Sequence, residues 1–436
     1  MDALAKHKTA AILAGLIILF SAALFVFASG PTTGFAVKKT FQAASSGYAP
    51  PLYADAQLAW VDVRTFGAKA DGRTDDTRAI QAAINHAKGR PVYLPSGTYV
   101  VTSSLKYHTG NANVIQPGAK VPGLRMFGDG MGYTFFDNQV ANGALIDVNG
   151  VLTDYTFQYG MDLRDFSIKT TTKPAASLGI RLKGAWMGTI ERIEVKGLTE
   201  DAIRIEGSAN YATGDPDSSA YLTVRRSYLQ DNGGYGINVH SLNNQNIFLT
   251  SFTAEENSIV RNAKGGIRYN GINGVIKGNG LAYNFGAGGL LMYHSGGSRT
   301  TQVSQNMFEG NLPHEITVES GALLDFHMNA FTIADYGYGK PAETIRLGTK
   351  EQYVFDAQFR NNLFRPTLAE QTVFIVGKNA YGTKITDTFW TNDPKTKYDV
   401  QNDDTFIQEG RKIVYGKIEP APTPTATPTV TPNPSG

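Results

Sequence analysis

Short runs of alternating apolar and polar residues recur through the middle of the chain. In GIRLKG, Ile180 and Leu182 alternate with Arg181 and Lys183. The segments AIRIEG (202–207) and GINVH (236–240) repeat this alternation. Such alternation is typical of a β-strand with one face buried and the other in solvent. The pattern therefore predicts repeated short strands whose aliphatic side chains share one core.

The aliphatic residues that anchor these strands recur at the spacing of a solenoid. The anchors are Ile180, Ile203, Ile237, Ile267, Leu290, Ile316, Ile345 and Val373. Neighbouring anchors lie 23 to 34 residues apart, inside the range of roughly 20–50 residues that indicates stacked repeats. A solenoid also explains how 436 residues form one domain, because each repeat packs only on its neighbours.

A second strand pattern precedes most anchors, and no helix-length periodic segment lies between the two. These second strands are predicted within 165–169, 191–197, 257–262 and 305–311. Turns rich in Asn and Gly separate them from the anchors, as at 231–234 and 262–266; both residue types tolerate left-handed backbone angles. We expect an all-β parallel β-helix in which the turn asparagines stack from coil to coil.

The two ends of the chain differ from this repeat. In residues 1–37, Lys6 and Lys8 precede an uncharged apolar run. This pattern indicates a signal-anchor or a cleaved signal peptide. Residues 38–59 are interpreted as a tether, 60–417 as the β-helix domain, and 418–436 as a Pro/Thr-rich disordered tail. This order predicts a membrane-anchored extracytoplasmic domain or a secreted protein.

Composition narrows the classes of partner. The chain has 40 basic and 38 acidic residues, a net charge of +2 and no Cys. The balance argues against a nucleic-acid binder, which needs a clustered basic excess, and the absence of Cys excludes disulfides and thiolate metal sites. The His residues show no metal-ligand spacing. We therefore expect neither a cofactor nor a metal. The expected oligomeric state is a monomer, with a trimer as the alternative.

A helix and a dense motif open the predicted domain. The helix is expected to begin near Thr74 or Asp75 and to bury Ile80, Ala83, Ile84 and Ala87 on one face, covering the open end of the solenoid. The surrounding F-G-A-x-x-D-G-x-T-D-D-T-x-A-I-Q-x-A-I and V-Y-L-P-x-G-x-Y resemble the start of the pectate lyase superfamily (rhamnogalacturonase/epimerase-like) β-helix domain. The resemblance implies a single-stranded right-handed parallel β-helix and carbohydrate chemistry.

The chain departs from two motifs of related enzymes. The Gly-His-Gly of polygalacturonase-type hydrolases does not occur, and no Asp-Asp lies between residues 160 and 400. LPHEI (312–316) is similar to the Asp-Pro-His-Glu of alginate epimerases, but Leu312 replaces the Asp. Asp75 and Asp76 in the opening motif are interpreted as structural.

Stacking the anchors builds a surface, because outward side chains of successive coils lie about 4.8 Å apart. The two outward rows are Arg181, Arg204, Asn238, Arg268, Leu291 and Thr317, and then Lys183, Glu206, His240, Asn270, Tyr293 and Glu319. The catalytic candidates are Glu206, His240 and Arg268, and the substrate-binding candidates are Arg204, Asn238, Asn270 and Tyr293. A solvated charged ladder is the alternative interpretation of the same rows.

These side chains suit uronate β-elimination, which needs a neutralised carboxylate, a base for the C5 proton and an acid at O4. Arg204 or Arg268 could neutralise the carboxylate. His240 could act as base or acid, and Glu206 could orient it. Tyr293 offers a flat apolar face to a sugar ring.

Hydrolysis needs two carboxyl groups roughly 5–9.5 Å apart. Glu206 and Glu319 lie four coils apart, about 19 Å by the strand spacing, and cannot form that pair. Loop carboxylates that could serve instead are Asp215, Asp217, Glu255, Glu256 and Glu309. Asp215 and Asp217 could alternatively bind Ca²⁺.

Taken together, the sequence predicts an extracytoplasmic protein that acts on a polysaccharide, acidic in our interpretation, by lyase or glycosidase chemistry. The alternative is a non-catalytic glycan-binding or cell-surface structural β-helix. The expected partners are a polysaccharide and, through the N-terminal segment, a membrane.

Overall fold

The computed structural model describes most of the predicted domain. The described residues are 59–108, 121–149, 158–172, 176–210, 215–217, 219–241, 250–293, 299–333, 337–339, 343–348, 353–366, 372–377, 379–390, 397–399, 412–414 and 417–418. They belong to the second of two compact units, Asp55–Gly436. The predicted N-terminal segment, the tether up to residue 58 and the tail beyond residue 418 lie outside them. No helix among the described residues is long and apolar enough to span a bilayer.

Short strands make up nearly all of the regular structure. They are β1 (Val61–Asp62), β2 (Asp71–Asp75), β3 (Val92–Leu94), β4 (Gly97–Val101), β5 (Leu105–His108), β6 (Val121–Pro122), β7 (Arg125–Gly128), β8 (Thr134–Asn138), β9 (Asn142–Asn149), β10 (Gln158–Tyr159), β11 (Asp162–Lys169), β12 (Ala176–Lys183), β13 (Ala185–Lys196), β14 (Ile203–Asn210), β15 (Asp215–Asp217), β16 (Ala220–Arg225), β17 (Tyr228–Gln230), β18 (Tyr235–Ser241), β19 (Thr253–Glu255), β20 (Ser258–Val260), β21 (Gly265–Tyr269), β22 (Val275–Lys277), β23 (Gly280–Ala282), β24 (Leu290–Met292), β25 (Arg299–Ser304), β26 (Met307–Glu309), β27 (His314–Val318), β28 (Gly321–His327), β29 (Ala330–Ile333), β30 (Glu343–Leu347), β31 (Val354–Pro366), β32 (Thr372–Val376), β33 (Ala380–Tyr381), β34 (Lys384–Trp390), β35 (Lys397–Asp399), β36 (Lys412–Val414) and β37 (Lys417–Ile418).

The strands wind into a parallel β-helix, as the repeat predicted. In each central coil two strands join a 24-stranded sheet, here sheet A, and the third joins a 13-stranded sheet, sheet B; both counts cover the described residues. Strands β19, β20 and β21 form one such coil, and each pairs in parallel with its counterpart in the next coil, as β19 does with β22. Antiparallel pairs occur in the described part at β14–β15 and near the C-terminal end.

The α-helix of the described part of the chain, α1 (Thr77–Ala87), lies at the N-terminal end and packs against β1, β3, β5 and a short 3-10 helix (Val63–Phe66). It buries Ile80, Ala83, Ile84 and Ala87, the face that the sequence predicted. It begins two or three residues later than expected. The Asp75 carboxylate accepts hydrogen bonds from the backbone and hydroxyl of Thr77, and Asp76 accepts two backbone N–H groups of the preceding turn. Both carboxylates are therefore structural, as predicted.

The inward anchors stack in register with one exception. Ile180 pairs with Ile203, and the series continues through Ile237, Ile267, Leu290 and Ile316 to Ile345. Ile345 then pairs with Phe374, so the choice of Val373 as the eighth anchor was wrong by one residue. All five residues of TVFIV favour strand or core positions, so alternation does not fix its phase, and a one-residue shift exchanges the two faces of a strand.

Two buried rows of asparagine run along the coil, which confirms the predicted stacking. The first row is Asn257, Asn279, Asn306, Asn329 and Asn362, and the second is Asn232, Asn262, Asn284 and Asn311. In the first row each Nδ2 donates to the Oδ1 of the next asparagine at 2.9 Å, and also to a backbone carbonyl. Each such Oδ1 also accepts the backbone N–H of the preceding asparagine. The rows satisfy backbone groups that the corners would otherwise leave buried and unpaired.

The left-handed backbone at these corners lies one residue earlier than the sequence suggested. The residues that precede the asparagines of the first row have φ between 54° and 67°: Glu256, Gly278, Gln305, Met328 and Asn361. Most are not glycine, because the hydrogen-bonded corner imposes the bend on whatever residue stands there. A positive φ of this kind is uncommon outside glycine, so its repetition marks the corners.

The second asparagine row ends on a carboxyl group. Asn311 donates its backbone N–H and its Nδ2–H to the two oxygens of Glu315. Glu315 is fully buried, and burial raises its pKa to about 8, although these hydrogen bonds oppose the shift. LPHEI therefore supplies a structural residue, because Glu315 takes the place of the next asparagine in the second row.

A pH-dependent stability follows from Glu315. Because the pKa is raised on folding, the carboxyl group contributes stability below pH 4.5 that is lost as the pH rises to about 8. We expect wild type to lose up to about 5 kcal/mol of unfolding free energy across this range relative to Glu315→Gln, whose amide does not titrate. Denaturant unfolding of both proteins at pH 5 and pH 8 measures the difference. A parallel pH dependence of the two would contradict the assignment.

Candidate functional site

Sheet B places the predicted site residues side by side. Arg181, Arg204, Asn238 and Arg268 pair in register on β12, β14, β18 and β21, and Arg268 pairs with Leu291 on β24. In the second outward row Lys183 pairs with Glu206, and Glu206 pairs with His240. The row continues beyond the strand ends, where Asn270 N–H donates to Val239 O and Tyr293 N–H donates to Tyr269 O. Both predicted rows therefore exist.

The alternative interpretation of these rows is an ordinary solvated ladder of charged residues. Sheet A shows what such a ladder looks like in this protein. One of its outward rows is Arg164, Glu191, Arg225, Glu255 and Lys277, also in register. Its charges alternate, and Arg225 lies 3.0 Å from Glu191 and 3.8 Å from Glu255. In this row of sheet A, the charge of each side chain is thus neutralised by the opposite charge on the neighbouring coil.

Several buried polar atoms of sheet B lack hydrogen-bond partners within the described part of the chain, and so do some on sheet A, among them Arg225 Nε and His327 Nδ1. Between β9 and β21 of sheet B these atoms include Asn149 Oδ1, Asn238 Oδ1, His240 Nδ1 and Arg268 Nε. Buried polar groups are normally paired, so unpaired ones call for a functional explanation. Three of them, Asn238 Oδ1, His240 Nδ1 and Arg268 Nε, lie on the adjacent strands β18 and β21. This pair of coils is therefore the candidate site for a polar ligand.

Arg268 is the cation available to such a ligand. Its guanidinium lies 5.6 Å from the centre of the Tyr293 ring, and in the described part of the chain it forms no ion pair. A guanidinium over an aromatic face is held in orientation by cation–π attraction while its N–H groups remain free. This arrangement presents a planar donor next to an apolar ring.

Arg204 is less available than the sequence suggested. Its Nε lies 2.6 Å from Asp201 Oδ2, and a terminal nitrogen lies 3.3 Å from Glu200 Oε2. Asp201 also accepts a hydrogen bond of 2.9 Å from Asn238 Nδ2. Sequence reasoning missed Asp201 because it precedes the alternating strand; its position three residues before Arg204 was the available signal. Asp201 holds Arg204 and Asn238 in place on the face.

The titrating groups of the face are shifted towards their neutral forms. Burial, with Arg268 and Arg204 nearby, lowers the pKa of His240 to about 4. Burial also raises the pKa of Glu206, although Arg181, Arg204 and Lys183 oppose the shift. Glu206 does not bond to Nδ1 of His240, so the expected orienting role is not seen. Opposite shifts on adjacent coils are the arrangement expected of an acid and a base.

The other predicted carboxylates do not join this face. Glu255 and Glu309 lie on strands of sheet A, and Glu256 pairs with Arg226 there at 2.8 Å. Asp215 and Asp217 form β15, and their side chains lie outside the described residues. In the described part of the chain no three His, Asp or Glu side chains are close enough together to hold a metal ion.

Comparison with known proteins identifies the family of this chain. Residues 60–289, just over half of the chain, match the family model described as "Rhamnogalacturonase A/epimerase, pectate lyase-like". The chain belongs to this family. The right-handed parallel β-helix predicted from the opening motif is thereby confirmed. Glu206, His240 and Arg268 fall inside the part that matches the rhamnogalacturonase/epimerase family, and Tyr293 lies four residues beyond its end.

Two of the curated relatives are proteins of Azotobacter vinelandii. Mannuronan C5-epimerase AlgE3 is 26% identical over 272 residues, which are 61% of this chain and 13% of that protein. Alginate lyase 7 is 31% identical over 185 residues, 40% of this chain and 20% of that protein. The chain therefore spans no more than about a fifth of the length of either relative. Among solved structures, the AlgE6 A-module has a TM-score of 0.42 and 19% identity over 76% of this chain and 99% of that one.

Proposed function

We propose that the protein acts on an acidic polysaccharide by removing the C5 proton of a uronate residue. The observation that carries this proposal is a group of three side chains on sheet B. Among the described residues Arg268 has no acidic partner and His240 Nδ1 has no hydrogen-bond partner, and Glu206 lies on the coil adjacent to His240. The names of two relatives, a mannuronan C5-epimerase and an alginate lyase, support an acidic substrate.

Arg268 would neutralise the substrate carboxylate. Removing a proton from the carbon next to a carboxylate puts further negative charge on that carboxylate, so the intermediate needs strong donors. A guanidinium can bind both carboxylate oxygens, and such positioned donors are often the largest single contribution to catalysis. Tyr293, beneath Arg268, would contact the sugar ring.

His240 would act as the base. With its pKa lowered to about 4 the imidazole is neutral at neutral pH, so one ring nitrogen is free to accept a proton. Its Nδ1 has no hydrogen-bond partner among the described residues. A carboxylate bound at Arg268 would offset the positive charge that now lowers the pKa of His240. The base would then become stronger when substrate is present.

Glu206 would supply a proton. Its raised pKa keeps it protonated further towards neutral pH than an ordinary Glu. In β-elimination the electron pair of the C5–H bond forms the C4=C5 double bond, the C4–O4 bond breaks, and Glu206 protonates O4. In epimerisation the C4–O4 bond stays intact and C5 regains a proton from the opposite side. Both reactions begin with the same proton abstraction.

Hydrolysis has less support. Glu206 and Glu319 are four coils apart in the observed rows, about 19 Å, which is too far for a pair of glycosidase carboxyl groups. Of the remaining described candidates, Glu255 and Glu309 lie on strands of sheet A, and Glu256 lies at the corner between β19 and β20, where it pairs with Arg226.

A substrate panel tests the proposal. The full chain is incubated with polymannuronate, polyguluronate, polygalacturonate and a neutral glucan. Unsaturated ends that absorb near 235 nm on a polyuronate indicate elimination, and altered uronate stereochemistry without them indicates epimerisation; either result supports the proposal. New reducing ends alone would favour a glycosidase, and binding without turnover would favour the non-catalytic alternative.

The pH dependence of kcat/KM is a further prediction. Because the base must be unprotonated, activity should fall as the pH drops towards about 4, the pKa of His240. Because Glu206 must be protonated, activity should also fall as the pH rises through its raised pKa. Glu206→Gln should lower the maximum rate by about 100-fold or more and abolish the alkaline limb. An alkaline limb that persists in the variant would assign it to another group.

The location outside the cytoplasm is part of the proposal, and it rests on the apolar N-terminal run and the Pro/Thr-rich tail. Protease added to intact cells should degrade the domain if it is exported and anchored, and the domain should appear in the medium if it is released. Protection from protease with no released protein would contradict an exposed location.

A further inference from the structure

A cavity lies at the N-terminal end of the coil, lined by α1 and by residues within 102–106 and 140–142. Its volume is about 990 Å³. Hydroxyl and amide side chains form much of its lining, including Thr102, Ser103, Ser104, Asn85 and Asn142. Such side chains can donate to and accept from sugar hydroxyls. The cavity also contains two cationic side chains, Arg78 and Lys106.

These two cations are exposed and carry unneutralised charge. Neither Arg78 nor Lys106 forms an ion pair with any described residue, whereas most arginines along the coil are paired. Arg192, for example, lies 2.6 Å from both Asp165 and Glu191. Two cations without an ion-pair partner among the described residues, both lining one cavity, favour an anionic ligand.

Lys106 connects this cavity to the candidate site. It lies on β5 in register with Asp147 on β9, and Asp147 is in register with Arg181 on β12. The first outward row of sheet B therefore runs from Lys106 through Asp147, Arg181, Arg204 and Asn238 to Arg268. Five coil steps separate its two ends, a distance of about 24 Å.

The charges between the two ends are neutralised within the protein. Arg181 pairs with Asp147 through two hydrogen bonds of 2.9 and 3.3 Å, and Arg204 pairs with Asp201 and Glu200. Free positive charge on this stretch of the row therefore remains at Lys106, with Arg78 beside it, and at Arg268. The charge pattern suits an acidic chain that is held at two places.

We propose that the cavity at Arg78 and Lys106 is a remote anchoring site for the same acidic polysaccharide that occupies the Arg268 site. This inference rests on the proposed function and adds a length requirement to it. An oligouronate that reaches only the Arg268 site gains nothing from the cavity. One that spans about 24 Å contacts both sites, and the second contact is then made at a high effective concentration.

Binding of oligouronates of increasing length tests this inference. Dissociation constants are measured by calorimetry for wild type and for the double variant Arg78→Gln, Lys106→Gln. Wild type should gain about tenfold in affinity once the oligomer spans both sites, as expected for two exposed ion pairs. The double variant should lose this gain and keep its affinity for short oligomers. Added salt should reduce the gain, since both cations are exposed.

A charge-matched control separates a local effect from a general one. Arg73→Gln, Lys277→Gln removes two exposed positive charges that do not line the cavity, and it should bind every oligomer as wild type does. If the Arg78→Gln, Lys106→Gln variant keeps the full gain in affinity with oligomer length, the inference about the cavity is wrong, while the proposed function is unaffected. Failure of wild type to bind oligouronates of any length would instead refute the proposed function, and the inference with it.

Discussion

Replacing Arg268 with Gln is expected to lower kcat/KM on the acidic substrate by roughly 10²–10³-fold. The reason is that Arg268 supplies the unpaired guanidinium on this face, while Arg204 is held by Asp201 and Glu200. Gln retains hydrogen-bonding capacity but carries no charge to stabilise the developing dianion. Initial rates on the polyuronate that wild type turns over fastest measure the effect.

Two controls accompany this variant. Arg365→Gln removes an exposed arginine on β31, which belongs to sheet A, and should leave the rate unchanged. The melting temperature of Arg268→Gln should match that of wild type, because Arg268 forms no ion pair with the described residues. Retention of more than about half of the activity by Arg268→Gln would remove Arg268 from the mechanism.

Replacing Asn306 with Ala should destabilise the fold by about 3–5 kcal/mol. Asn306 Oδ1 accepts both the backbone N–H and the Nδ2–H of Asn279, and its own Nδ2 donates to Ile276 O. Truncation leaves these three buried groups unpaired, at about 1–3 kcal/mol each. Denaturant unfolding monitored by circular dichroism measures the loss.

The neighbouring residue provides the control for this prediction. Gln305 is exposed and has a left-handed backbone (φ 57°) like the other residues that precede the asparagine row. Gln305→Ala should therefore change stability by less than about 0.5 kcal/mol. Equal effects of the two substitutions would mean that the asparagine row is not a main source of stability.

The repeat was predictable from sequence because strand alternation directly encodes which side chains face the core. Arg204, Glu206, His240 and Arg268 could be assigned to outward rows from the inward anchors alone, since side chains alternate between faces. The same rule failed at Val373, because its neighbours are also apolar and the pattern does not show which of them face the core. The register there depends on how the chain enters strand β32, which local pattern does not contain.

The partners of the outward residues were not predictable in the same way. That Asp201 neutralises Arg204 depends on the conformation of the turn before β14, and that Arg268 lies over Tyr293 depends on the next coil. The role of Glu315 was equally hidden, because only the stacked asparagines show that its carboxyl group completes their row. Sequence thus identified the members of the face, and the structure distinguished its free groups from its paired ones.

The most direct test of the central claim is exchange of the uronate C5 proton with solvent. The full chain is incubated with polyuronate in D₂O, and deuterium at C5 is followed by NMR for wild type, His240→Gln and His327→Gln, the last being a histidine of sheet A. The account predicts deuterium incorporation, or C5-proton loss by elimination, with wild type and His327→Gln but not with His240→Gln. Loss of the C5 proton at the wild-type rate in His240→Gln, or in none of the three proteins on any polyuronate, would contradict it.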